Sequence, residues 1–209
     1  MQKRSPEELF NTLTHLAGVV FTLALAWIIL RMGYRATWQH AFGVTFFTVG
    51  MLLMFAFSTL YHWWMPGRGK RCLRLFDHIG IYVMIAASYT PICVGVVGGA
   101  VGWTVFSLLW AAVLGGVCFK VFVPPGRYPR LSLLLYLVMG WSVVFIAEPV
   151  YQRMPLSALC GILSEGFFYT SGTYFFVHDD RPWFHGLWHL FVLLGAISHW
   201  AAVLLVLQS

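Results

Sequence analysis

His185 and His189 stand four residues apart in the string His185-Gly186-Leu187-Trp188-His189, which puts two imidazoles on one face of a helix, one turn apart. Ionisable side chains inside an apolar segment are costly unless something uses them, and a bound metal is an economical user. Three neutral imidazoles with a fourth position left to water make a catalytic zinc arrangement. The third imidazole is expected from His62, in Ser58-Thr59-Leu60-Tyr61-His62. Zinc suits this donor set, although copper, nickel or iron also accept imidazole. Asp77 is better placed to hydrogen-bond the water and take its proton than to be a fourth ligand. Ser58, one turn from His62, is expected to orient an imidazole or polarise a substrate carbonyl. Glu8, Asn11 and His15 fall at offsets of three and seven along one helical stripe and are expected to support the ligands from behind. Each has a plainer alternative: helix capping for Glu8, a helix–helix hydrogen bond for Asn11, packing for His15.

The elements that must carry these residues are membrane helices. The 209-residue chain is 60% hydrophobic and only 10% charged. Crossing a hydrocarbon core of about 30 Å takes roughly 20 helical residues. Seven stretches qualify, near 15–33, 41–64, 77–97, 101–122, 131–148, 156–177 and 185–207. None alternates with the period of a strand, which argues against a β-barrel. The expected fold is all-α: one polytopic seven-transmembrane-helix bundle over 1–209, with a short interfacial helix start at about 5–14.

The net charge of +6 reports topology rather than nucleic-acid binding. Lys3, Arg4, Arg68, Lys70, Arg71, Arg74, Lys120, Arg127, Arg130 and Arg181 fall on one side of the membrane, and only Arg31, Arg35 and Arg153 on the other. The positive-inside rule then puts the N-terminus in the cytoplasm and the C-terminus outside. With that orientation His62, Asp77, His185, His189 and His15 all lie in one layer, at the inner leaflet.

Met65-Pro66-Gly67 and Val123-Pro124-Pro125-Gly126 read as turns, and Gly98-Gly99 leaves almost no loop between the third and fourth spans. Ser5-Pro6-Glu7-Glu8 reads as a helix start, with Ser5 as N-cap and Glu8 reaching back to complete a capping box. No cleavable signal peptide is expected, because Glu7, Glu8 and Asn11 precede the first apolar run. Cys72, Cys93, Cys118 and Cys160 lack metal or redox spacing and are expected to be small buried hydrophobes without a disulfide. Tyr89-Thr90-Pro91 marks a kink in the third span. His78 points about 100° away from Asp77 on a helix. His199, about 15 Å beyond His189 by helical rise, cannot share its metal but is placed to line the same cavity.

Four motifs together carry a resemblance: Glu8-x-x-Asn11-x-x-x-His15, Ser58-x-x-x-His62, Asp77-x-x-Gly80-Ile81 and His185-x-x-x-His189. In this order, on seven spans, they resemble the haemolysin-III-related bacterial branch of the progestin and adipoQ receptor family, whose animal members include the adiponectin receptors. The resemblance implies a seven-helix fold oriented oppositely to G-protein-coupled receptors, in the inner membrane of a bacterium. It implies zinc on His62, His185 and His189, with water near Asp77. The animal receptors look like lipid amide hydrolases of ceramidase type; bacterial relatives are described as haemolysins or linked to membrane lipid homeostasis. The expected function is metal-dependent hydrolysis of a lipid amide or ester at the inner leaflet, with membrane lipid as substrate or ligand. The alternatives are a non-enzymatic membrane sensor with structural zinc, a haemolysin-type pore, and a haem-binding electron carrier. A receptor role through a long N-terminal domain is not expected.

Overall fold

In the computed structural model, residues 5–123 and 126–209 are described. Lys3 and Arg4 of the charge count and Pro124-Pro125 of the second basic turn lie outside them. Helix α1 spans Pro6–Ala36 without a break, about 46 Å at 1.5 Å per residue. The expected interfacial start and the first span are therefore one rod. Ser5 caps it, its Oγ accepting the Glu8 N–H at 3.1 Å, with Pro6 in the first turn. The rest of the capping box does not form: the Glu8 carboxylate turns away, toward His62 and Lys70.

Helix α2 (Trp38–Trp63) follows after one extended residue, Thr37, whose hydroxyl accepts the His40 N–H. Helix α3 (Arg68–Thr90) runs into a wide π-helical turn, Pro91–Val97. Pro91 cannot donate, and the Thr90 hydroxyl donates to the Ala86 carbonyl at 2.8 Å instead. The expected kink is this widening. Gly98 and Gly99 then reverse the chain at φ of 58° and 55°, a region glycine enters without a Cβ clash. Helix α4 is Gly99–Phe122. The fifth crossing is composite: α5 (Pro129–Gly140), a 3-10 stretch (Trp141–Ile146) and α6 (Ala147–Arg153). Helices α7 (Leu156–Val177) and α8 (Phe184–Gln208) complete the chain.

Six stretches are long and apolar enough to cross a membrane: Pro6–Ala36, Trp38–Trp63, Arg68–Val97, Gly99–Phe122, Pro129–Arg153 and Phe184–Gln208. No strand occurs among the described residues, and the chain is a polytopic helical membrane protein. Seven crossings are expected from sequence; α7 is the one outside the six. It has 22 residues, with Ser157, Ser164, Glu165, Thr170, Ser171 and Thr173 diluting its apolar character.

Helix α1 packs along α2 and α8, α7 along α8, and α3 joins α2 to α4. Ile29, Phe47, Met51, Phe55 and Ala196 form an apolar core between α1, α2 and α8. A second core gathers Ile92, Cys93, Ile146, Val150, Ala158 and Ala202 around the π turn. Large apolar side chains such as Trp27, Leu108, Leu114, Phe145 and Leu163 face outward, as a lipid-facing surface requires. Three cysteines share that outward placement. Only Cys93 is buried; Cys72, Cys118 and Cys160 are exposed, contrary to the expectation of four buried thiols, and no disulfide joins them.

Candidate metal centre

The last turn of α2 carries His62, and the first turns of α8 carry His185 and His189. Packing brings the three rings together, with centroids 5.1 Å (His62–His185), 4.9 Å (His62–His189) and 4.7 Å (His185–His189) apart. One ligand atom from each lies within 4.8 Å of the other two, close enough to share one ion. His62 and His189 are only 4% and 2% exposed.

The close approach of α1 to α8 rests on Gly186, where a Cβ would stand 2.2 Å from Phe10 and 2.9 Å from the Asn11 side-chain oxygen. The entrance to α8 is pinned from the same helix. Glu7 accepts the Trp183 N–H at 2.9 Å, and Trp183 sits in the left-handed region at φ 67°, a strained conformation for an aromatic residue.

Two of the imidazoles have Nδ1 hydrogen-bonded from behind, and the third has a carboxylate near its own. His62 Nδ1 donates to Glu8 Oε2 at 2.7 Å, while the other Glu8 oxygen accepts from Lys70 Nζ at 2.6 Å. His189 Nδ1 lies 3.2 Å from the Asn11 main-chain carbonyl and 3.4 Å from the Thr14 hydroxyl. His185 Nδ1 is 3.8 Å from Asp179 Oδ2, and that imidazole holds the loop carboxyl below its ordinary range. A proton on Nδ1 leaves the lone pair on Nε2. His62 Nε2 is buried without a hydrogen-bond partner among the described residues, as a ligand atom should be. Carboxylate or carbonyl behind each ring is the arrangement that orients histidines on a metal. The donor set therefore fits zinc or a similar divalent ion.

The stripe Glu8, Asn11 and His15 does reach this cluster, each residue in its own way. Glu8 acts through its side chain. Asn11 acts through its backbone, not its amide. His15 stacks on His189 at 3.7 Å between centroids and meets Phe55 edge-on; both its ring nitrogens are buried and without a hydrogen-bond partner among the described residues. Asp77 lies within electrostatic reach of His62, His185 and Arg74. Ser58 faces Asp77, its hydroxyl buried and without a hydrogen bond of ordinary length. Both line a cavity of about 790 Å³, walled by α1, α2, α3, the end of α4, α5, α7 and α8, that also receives His62, His185 and His189.

Three participants are not singled out by the sequence argument. Lys70 reads there as a loop charge, Asp179 has no spacing signal, and Glu165 is the acid that binds His199. His199 does line the cavity, and its Nδ1 is 2.6 Å from Glu165 Oε2. An acidic residue inside an otherwise apolar helix was the available signal for Glu165. Helix α5 and helix α7 touch only sparsely, and exposed Trp141, Leu163 and Phe167 line the cavity where they part.

Comparison with known proteins agrees with this architecture. Residues 3–200 match the family described as Haemolysin-III related. The chain is 36% identical over 200 residues to a protein named Hemolysin-3 homolog from Bacillus subtilis (strain 168), covering 95% of this chain and 93% of that one. It is 32% identical over 199 residues to Hemolysin-3 from Bacillus cereus, covering 95% and 90%. A human protein named Monocyte to macrophage differentiation factor is 30% identical over 166 residues, 74% of this chain and 66% of its own. With its apolar helices and its bacterial and animal relatives in view, this chain is a multi-pass bacterial membrane protein that belongs to the haemolysin-III-related family.

Proposed function

We propose that this protein is a zinc-dependent hydrolase of membrane-lipid amides or esters, working at the inner leaflet and contributing to membrane lipid homeostasis. The observation that carries the reading is the meeting of three back-supported imidazoles with Asp77 at the wall of a largely apolar cavity. His62, His185 and His189 hold the metal. When bound, it supplies Lewis-acid polarisation of water and of a substrate carbonyl. Glu8 and the Asn11 carbonyl keep the Nδ1 protons of His62 and His189 in place, so the ligand nitrogens stay directed inward. Lys70 keeps the Glu8 carboxylate charged and in position. Asp77 accepts the proton of the attacking water at a carboxylate oxygen and returns it to the leaving nitrogen or oxygen. Ser58 aligns Asp77 or the carbonyl. Lipid enters where α5 and α7 part, since the residues there are apolar and face outward.

The whole chain, 1–209, is one domain in this reading. Helix α7 is its seventh crossing, packed along α8 with Glu165 turned inward to His199. The N-terminus lies in the cytoplasm and the C-terminus outside, as the charge distribution favours.

Metal analysis of purified protein, paired with fatty-acid release from ceramide-like and acyl-ester lipids, tests the proposal. The expected result is about one zinc per chain and release that is lost in His189→Ala. Release that persists after the metal is stripped rejects the mechanism. A second reading, a non-enzymatic sensor with structural zinc, draws on the deep burial of His189 beneath the stacked His15 ring. It predicts bound metal with no product from any lipid. The name of the Bacillus cereus relative suggests a third, a pore, which dye leakage from liposomes tests in the same preparation.

A further inference from the structure

The hydrolytic reading leaves a group of cations on the same cavity wall without a use. Lys120, in the last turn of α4, is 3% exposed. Its Nζ donates to Ser132 Oγ at 2.6 Å, and the Ser132 hydroxyl donates in turn to the Tyr128 carbonyl. The rings of Phe119 and Tyr136 lie 5.6 and 5.8 Å from the same Nζ. No carboxylate pairs with Lys120 among the described residues. An ammonium with three donors thus has one neutral acceptor and no counter-charge inside an apolar bundle, a costly state unless an anion visits.

Two neighbours add polar groups to the same wall. Arg74 lies on α3, its guanidinium beside Gly126, and it lies within electrostatic reach of Lys120. Asp77 and Asp179 feel Arg74 but form no ion pair with it. His78, one turn along α3 from Arg74, has a buried Nδ1 with no hydrogen bond and lies within reach of both Lys120 and His185. Tyr136 holds it in place by donating to the His78 carbonyl at 3.1 Å. Arg74, His78, Lys120 and Ser132 all line the cavity. The start of α3, the end of α4 and the start of α5 lie at the membrane end where α2 delivers His62. The cluster therefore sits at headgroup level, beside the imidazoles.

We propose that Lys120, Arg74 and His78 form an oxyanion subsite that holds the phosphate of a membrane phospholipid while its acyl chain occupies the apolar cavity. Two cations and an unpartnered imidazole nitrogen match the several oxygens of a phosphate. This deepens the lipid-hydrolase reading and rests on it for the occupant of the cavity: it selects phospholipids over neutral lipids such as ceramide or diacylglycerol.

Binding, read without turnover, tests it. Full-length metal-loaded protein in neutral detergent is titrated with phosphatidylglycerol, with diacylglycerol of the same acyl chains, and with inorganic phosphate. Phosphatidylglycerol should bind about tenfold or more tighter than diacylglycerol. Lys120→Met should erase that preference and Lys120→Arg keep it. Arg74→Gln, at an exposed position, should weaken it in the same direction. Equal binding of the two lipids, or a preference untouched by both Lys120→Met and Arg74→Gln, overturns the subsite. Inorganic phosphate binding as tightly as phosphatidylglycerol overturns the lipid assignment in favour of a free-ion site. Metal content measured alongside separates this outcome from failure of the hydrolase reading, because the lipid preference does not require product.

Discussion

Replacing Glu8 by Gln changes one charge and almost no volume, and it tests whether the ring of His62 is tuned from behind. In the native chain Glu8 accepts from His62 Nδ1 at 2.7 Å and from Lys70 Nζ at 2.6 Å, both distances typical of charge-assisted bonds. Hydrogen bonds to ionised groups contribute about 1.5–3 kcal/mol and neutral ones about 0.5–1.5. The substitution therefore removes about 1–1.5 kcal/mol of support for His62, which corresponds to about tenfold in affinity. Losses at such supporting positions run from about 10-fold to about 100-fold in metal affinity. The Glu8 side chain is 34% exposed, so solvent screening puts the effect at the lower end of that range. The cap of α1 is untouched, because Ser5 holds the Glu8 backbone N–H. Competition against a chromophoric zinc chelator measures the affinity. Lys70→Met is the control: the Glu8–His62 contact remains, and the loss should be smaller than in Glu8→Gln. An affinity for Glu8→Gln within about twofold of the native value, a few tenths of a kcal/mol, would refute the reasoning.

Other perturbations test other parts of the molecule. Chelation of the metal should lower thermal stability, by about 2.7 kcal/mol where free metal had been at 100 times Kd; His62→Ala should already show the lower melting temperature and no response to chelator. His199→Leu leaves Glu165 as an unpaired buried carboxylate and should cost about 3–5 kcal/mol in detergent unfolding, whereas Glu165→Leu with His199→Leu should recover most of it. Failure of the double variant to recover would mean the pair is not the source of the loss. Gly102→Ala would drive a Cβ to 2.0 Å from the Cys93 carbonyl, a backbone atom that cannot swing aside, and should destabilise the π turn by about 1–3 kcal/mol. A Gly102→Ala variant that melts with the native protein would show that α4 can shift away freely.

The three imidazoles and their shared depth were legible because helical spacing and charge asymmetry act over long stretches of chain. His185 and His189 follow from a four-residue period, and His62 and Asp77 from their place at span ends. Contacts that depend on a particular packing were not legible. Lys70 looks like any loop cation until α1 and α3 bring it to Glu8. Asp179 stands in a short loop with no periodicity, and only the turn into α8 places it beside His185. The 3-10 stretch Trp141–Ile146 interrupts a run that is mostly apolar, so composition reads it as one straight helix. Helix α7 is legible at its full bounds, 156–177, even though its serines, threonines and Glu165 dilute the apolar signal. Of the two roles the sequence offers Glu8, support of a ligand and closure of the cap of α1, the structure shows the first. A buried imidazole offers the carboxylate a stronger partner than a terminal backbone N–H.

The acceptor facing His189 belongs to a peptide link rather than to a side chain. Alanine scanning through position 11 would consequently pass over it, since every genetically encoded residue there supplies the same carbonyl. A backbone ester reaches this contact: in place of the amide between Asn11 and Thr12 it makes that oxygen a poorer acceptor and removes the Thr12 N–H, while leaving all side chains as they are. Part of what orients this centre is thus hidden from ordinary mutagenesis and immune to most point substitutions.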